Sequence, residues 1–181
     1  MFINDTILTQ IKKDIADWSI NFVESSNEFY ENKFPVCPYA RKAKLQGESC
    51  ISIYQGGSVK NFIKTEINNL LDQKKHKVML LIFPPIVKWI PGIHKFVNNI
   101  NKKIIPKDFY ALDGIAVNTR SSYPGWFNSG PYFIIGVNTL SAVLPAVESL
   151  RSVGYYKNWS HKHYKSVVVR RQQMYEKHKG N

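Results

Sequence analysis

The chain reads as an α+β domain built on a mixed four-stranded sheet with helices packed on it, and three patterns predict this. Apolar residues recur at helical spacing in several well-separated segments. An unbroken apolar run, Val78-Met79-Leu80-Leu81-Ile82-Phe83, has the length and composition of a strand buried on both faces. Strand, helix, strand and helix then alternate before two adjacent strands, which calls for one parallel unit and one antiparallel pair in the same sheet.

The first helix is marked by Ile7, Ile11, Ile15, Trp18 and Phe22, with Asn4 or Asp5 placed to cap it. The polar stretch from Glu24 to Asn32 ends it. Pro35 and Pro38 bracket Val36-Cys37, and Pro38 suits the first position of a short helix running to Leu45. A strand follows at Ser49–Tyr54 and closes on Gly56-Gly57. Ser58 then caps a helix that gathers Val59, Phe62, Ile63, Ile67, Leu70 and Leu71 on one face.

The charged turn Gln73–Lys77 leads into the central strand, and Pro84-Pro85 stops it. A third helix over Gly92–Ile104 aligns Ile93, Phe96, Val97, Ile100 and Ile104 before Pro106. Strands are expected at Phe109–Val117 and Tyr132–Val137. A fourth helix starts near Ser141, so that Pro145 falls close to its first turn, and a last helix follows Asn158. This succession fits a thioredoxin-like order, with a ferredoxin-like sandwich carrying an inserted helix as the alternative.

At 181 residues, with 44% hydrophobic and 13% aromatic content, the chain suits one self-sufficient domain over residues 1–181. The longest near-apolar run, Val78 to Val87, is interrupted by two prolines and is half of what a membrane helix needs. Polar residues break up the apolar ones at the N-terminus, against a secretory signal. Cys37 and Cys50 give neither a disulfide framework nor zinc spacing, so free thiols in the cytoplasm are the expectation. The net charge of +12 points to polyanions, yet it comes from 20 Lys and only 5 Arg among many Asn and Ile, a compositional bias. Lysine is also the poorer instrument for bidentate recognition.

The most distinctive string is Phe34-Pro35-Val36-Cys37-Pro38-Tyr39-Ala40-Arg41. With Pro38 opening a helix, Cys37 takes the N-cap, where free N–H groups and the helix dipole favour a thiolate. Arg41, one turn on, adds positive charge. The string resembles the Cys-Pro-Tyr-Cys segment of glutaredoxins at three of four positions, with Ala40 in place of the second cysteine. It is also similar to the Cys-Pro-Phe-Ala-like opening of a bacterial domain family of unknown function, with a loose echo in Arg120 to Pro124. That resemblance implies no activity.

The loop from Asn118 to Pro131 is long for a connection between neighbouring strands and mixes Tyr123, Trp126 and Phe127 with Gly and Pro. Arg120 at its start suits a carboxylate or phosphate. Asp113 and Glu66 are isolated acids, and His161-Lys162-His163 is a pair without a third ligand, so no metal site is expected. Nothing specifies a cofactor.

The basic terminal helix, 157–179, carries seven Lys/Arg against one Glu. Tyr164, Val167, Val168 and Tyr175 share a face, with Lys162, Lys165, Arg170 and Lys177 spread over the rest. Two functions of different class follow. One is a small-molecule enzyme or ligand-binding protein taking an anionic substrate, with Cys37 and Arg41 as catalytic groups and Arg120, Tyr123 and Trp126 as substrate contacts. The other is a nucleic-acid-binding accessory protein using the terminal helix.

Overall fold

The computed structural model describes residues 3–85, 87, 91–115 and 131–179. Helix α1 runs Asp5–Trp18, capped by the Asn4 side chain, which accepts the Ile7 N–H at 2.9 Å. Such a cap contributes about 1 kcal/mol. Its buried face is narrower than the expected stripe. Ile11 and Ile15 are enclosed, whereas Ile7 is 43% exposed. After Trp18 the backbone ladder changes to a π-helical turn, Ser19–Val23.

Helix α2, Ala40–Leu45, begins two residues later than expected, because residues 38 and 39 form a turn rather than the first helical positions. Strand β1 is Ser49–Ile53, and Tyr54 lies just beyond it. Helix α3, Val59–Gln73, is capped by Ser58 and buries Ile63, Ile67, Leu70 and Leu71. Strand β2 is Val78–Phe83, and helix α4 is Ile93–Ile104. Strands β3, Phe109–Ile115, and β4, Phe133–Thr139, complete the sheet.

The sheet order is β1-β2-β4-β3. β1 and β2 pair in parallel, from Ser49 opposite Val78 to Ile53 opposite Ile82, while β4 runs antiparallel to both β2 and β3. The α+β class, the parallel unit and the antiparallel pair therefore hold. The thioredoxin-like order does not hold laterally: that arrangement sets the first strand inside the sheet, and here β1 is an edge strand.

Strand alternation divides the core into two faces. On one face Met79, Leu81, Phe83, Ile135 and Val137 meet α3 and α4. On the other, Ile82, Ile134 and Ile53 meet Ile11 and Ile15 of α1. Leu81, Ile82 and Phe83 are fully enclosed, as expected of an inner strand.

The two sheet edges differ. At β3, Asn101 of α4 donates to the Ala111 carbonyl and accepts the Ala111 N–H, both at 2.8 Å. At β1, Ile51 is half exposed.

Helix α5, Leu140–Ser152, starts directly from β4. The Asp108 carboxylate accepts the Ser141 N–H at 2.9 Å and ties its start to that of β3. Pro145 thus falls inside α5 rather than close to its first turn, and the carbonyl of Ser141 loses its helical partner.

The C-terminal helical run is capped by Ser160 and comprises α6, His161–Tyr164, a second π-helical turn, Lys165–Val169, and α7, Arg170–Lys179. Val168 is buried, and Met174 and Tyr175 pack on Ile105, Tyr110 and Leu140. Among the described residues, no helix is long and apolar enough to cross a membrane.

Candidate functional site

Two distant parts of the chain, residues 22–39 and 150–171, meet in an aromatic cluster. Tyr30, Val36 and Tyr155 are its buried centre, packed by Phe22, Phe29, Phe34, Tyr156 and Trp159. The N-terminal part is shaped by a tight loop in which Ser26 bridges Pro35 and both Glu31 and Asn32 adopt left-handed backbone. The C-terminal part enters through the turn after α5, where Gly154 also has positive φ.

Hydrogen bonds fix the rings. Tyr30 and Tyr155 stack with centroids 4.5 Å apart, and the Tyr30 hydroxyl donates to that of Tyr155 at 3.0 Å. Tyr155 passes its own proton to the Val36 carbonyl, and the Trp159 indole N–H donates to Tyr30 at 3.2 Å. Burial pushes the Tyr30 phenol up to about 12 and raises Tyr155 further, so both are neutral donors at neutral pH.

Cys37 lies against this cluster, its N–H bonded to the Val23 carbonyl at 3.0 Å where the first π-helical turn ends. The expected thiolate does not follow from this geometry. Burial raises the Cys37 thiol above its usual range; hydrogen bonds from the Tyr39 and Ala40 N–H groups pull it down, and the Glu24 carboxylate pushes it up again. Cys37 is not the N-cap of α2, which is Tyr39; the two N–H groups still favour a thiolate, but desolvation outweighs them. Cys50 is also raised, by burial and then by Glu66.

Arg41 is exposed and acts on Glu24 rather than on the sulfur. Burial opposes the Glu24 charge, but bonds from Ser19 at 2.6 Å and Lys44 at 2.9 Å, with the charges of Lys44 and Arg41, hold its carboxyl below the ordinary range. Arg120, Tyr123 and Trp126 lie outside the described residues.

The far side of the cluster joins Tyr164 and His163 of the terminal helix to Tyr156, Trp159 and Arg151, which no sequence pattern had marked. Tyr156 sits edge-on to Trp159 at 4.9 Å and to Tyr164 at 5.2 Å, and Trp159 contacts the His163 ring at 4.4 Å. Burial lowers His163, which is therefore a neutral imidazole near pH 7. Arg151 donates to the Tyr164 hydroxyl at 2.6 Å and to both oxygens of Glu148.

Arg171, one residue into α7, is only 7% exposed. Its Nε is buried and makes no hydrogen bond, and among the described residues no carboxylate pairs with its guanidinium. Burial lowers its pKa, countered by the phenols of Tyr156 and Tyr110. A guanidinium stays charged even so.

A cleft of about 470 Å³ opens between α5 and α7, lined by Leu144, Val147, Glu148, Gln172, Tyr175 and Glu176. Its two carboxylates make it unsuited to an anion. The first π-helical turn carries Phe22 into the cluster and sets Val23 against Cys37, and the second leads into α7 just before Arg171. Such turns insert one residue into a helix and recur at functional sites. No family model, no curated protein and no solved structure matches the chain.

Proposed function

We propose that the chain is a cytoplasmic binding protein for a small anionic ligand, held at Arg171 beside Tyr156 and Tyr110. One observation carries this reading: an arginine that is 7% exposed, whose buried Nε makes no hydrogen bond and which no carboxylate faces among the described residues. Burying an unpaired charge costs several kcal/mol, on the order that a protein keeps only when something offsets it. A ligand carboxylate or phosphate is such an offset, and arginine offers it a bidentate fork. The Tyr156 phenol adds a neutral donor, and Tyr156, Trp159 and Tyr164 supply a wall of ring faces and edges.

Cys37 enters as part of that wall rather than as a nucleophile, since its thiol is held protonated. Two free thiols suit the reducing cytoplasm. The test is thermal stabilisation by inorganic phosphate, sulfate and benzoate. A ligand of the native state raises Tm as its concentration passes Kd. At least one of the three should raise the wild-type Tm, and Arg171→Met should abolish that rise while leaving the unliganded Tm equal or higher. Equal anion-induced rises in the two proteins would overturn the reading.

A further inference from the structure

The fold gathers cations from three separate helices onto one face. Lys60 and Lys64, one turn apart on α3, hold their ammonium groups 5.7 and 5.9 Å from the centre of the Phe96 ring on α4. Across α4, Arg170 of α7 donates to the Asn98 side chain at 3.1 Å. These contacts join α3, α4 and α7 side by side. Lys60, Lys64, Lys95, Lys102, Lys103 and Arg170 are all exposed.

Opposing charge is scarce there. α4 contains no acidic residue, and neither does the stretch from Lys157 to Arg171. On α3, Glu66 is half-buried and acts on Cys50, which leaves Asp72 near the far end. Glu176 on α7 is engaged by Gln172 at 2.9 Å.

We infer that this α3–α4–α7 face binds the phosphate backbone of nucleic acid without reading its sequence. Lysine is a compact point charge that neutralises phosphates but does not present the fork that reads base edges. Asn61, Asn68 and Asn99, exposed on α3 and α4, add neutral donors of the kind that contact phosphate and sugar. An anionic membrane is the weaker partner. Among the described residues, the exposed large apolar ones are Ile7, Ile20, Tyr39, Leu45, Ile51 and Val153, and none of them lies on α3, α4 or the 161–179 run. A lipid surface holds an amphipathic face partly through buried apolar area, which this face lacks.

The inference is independent of the Arg171 site, which lies on the buried side of α7. The experiment is fluorescence anisotropy with labelled 20-base-pair DNA and single-stranded RNA over a potassium chloride series. Log affinity should fall linearly with log salt, by about 0.9 for each phosphate neutralised on a duplex. The triple variant Lys60→Glu, Lys64→Glu, Lys102→Glu should weaken binding at least about tenfold at low salt and flatten the slope by about one per lysine. The control, Lys12→Glu with Lys13→Glu on α1 across the sheet, should retain wild-type affinity within about twofold. Circular dichroism confirms that the variants fold. No salt-dependent binding by the wild type, equal losses in variant and control, or binding to phosphatidylserine vesicles but not to either nucleic acid would each overturn the inference.

Discussion

Asn101 on α4 and Ala111 on β3 exchange two hydrogen bonds of 2.8 Å, so a side-chain amide stands in for the next strand of the sheet. Both residues are buried, Asn101 at 1% and Ala111 at 2% exposure. The pairing closes the β3 edge, which would otherwise present bare backbone groups to other chains.

Asn101→Ala should therefore destabilise the protein by on the order of 2–4 kcal/mol, because it orphans one buried donor and one buried acceptor. Asn101→Asp should be at least as damaging, since its carboxylate faces the Ala111 carbonyl. Urea denaturation measures both. A change below about 0.5 kcal/mol for Asn101→Ala would remove the edge-closing role.

Leu81→Ala tests the centre of the sheet. Leu81 has no exposed surface and lies between α3, α4 and the inner strands. Truncation should cost about 2–5 kcal/mol in denaturant melts. An unchanged midpoint would show that β2 is not the packing centre.

Cys37 and Cys50 are both pushed up by burial, so the two thiols should react slowly with iodoacetamide at pH 7. Glu24→Gln removes an anion that opposes the Cys37 thiolate and frees Lys44 and Arg41 of their partner. Cys37 labelling should then accelerate by roughly threefold, the size expected of one partly screened charge. Peptide mapping after timed alkylation reads this directly, and an unchanged rate would show that Glu24 does not govern the thiol.

Tyr132 donates a hydrogen bond to Asp14, linking the start of β4 to α1. The bond holds the Asp14 carboxyl below its ordinary 3.8, so its contribution is complete above that value and fades as pH falls through the depressed pKa. Burial, then the bond to Asp14 and its charge, pushes the Tyr132 phenol up to about 12. That contribution is complete below 10 and is lost as pH rises through 12. The Tm deficit of Tyr132→Phe should accordingly be largest between pH 5 and 9, by roughly the range these pKa values bound, and shrink at both extremes. A deficit constant from pH 2 to 11 would contradict the linkage.

The secondary structure was largely legible because it rests on local rules. Asn4 and Ser58 cap where capping residues should, and Val78–Phe83 is apolar on both faces because both faces are covered. The lateral strand order was not legible, since it depends on whether the antiparallel pair docks beside β1 or beside β2, and neither strand's pattern states this. Cys37 shows the limit at the site. The N–H donors after Pro38 could be read, but the burial that outweighs them depends on the tertiary fold that brings Val23, Tyr30 and Tyr155 to it. Arg171 carried a signal that went unused. It continues the spacing of Tyr164, Val168 and Tyr175, so a charged residue stood in an otherwise apolar stripe.

The π-helical turn at Lys165–Val169 makes residue number, as distinct from residue type, a constraint on this region. Each residue of an α-helix advances the angular phase by about 100°. The turn already accommodates one residue beyond the α-helical repeat, so one residue more between α6 and α7 rotates every later side chain by that angle relative to Tyr164 and Trp159. Exchanging Ser166 for another residue leaves this phase intact. An insertion beside it brings Arg170 round to where Arg171 now points and sets Val167 in the buried place of Val168. Single-residue insertions here should therefore be excluded during divergence, even where substitutions accumulate freely.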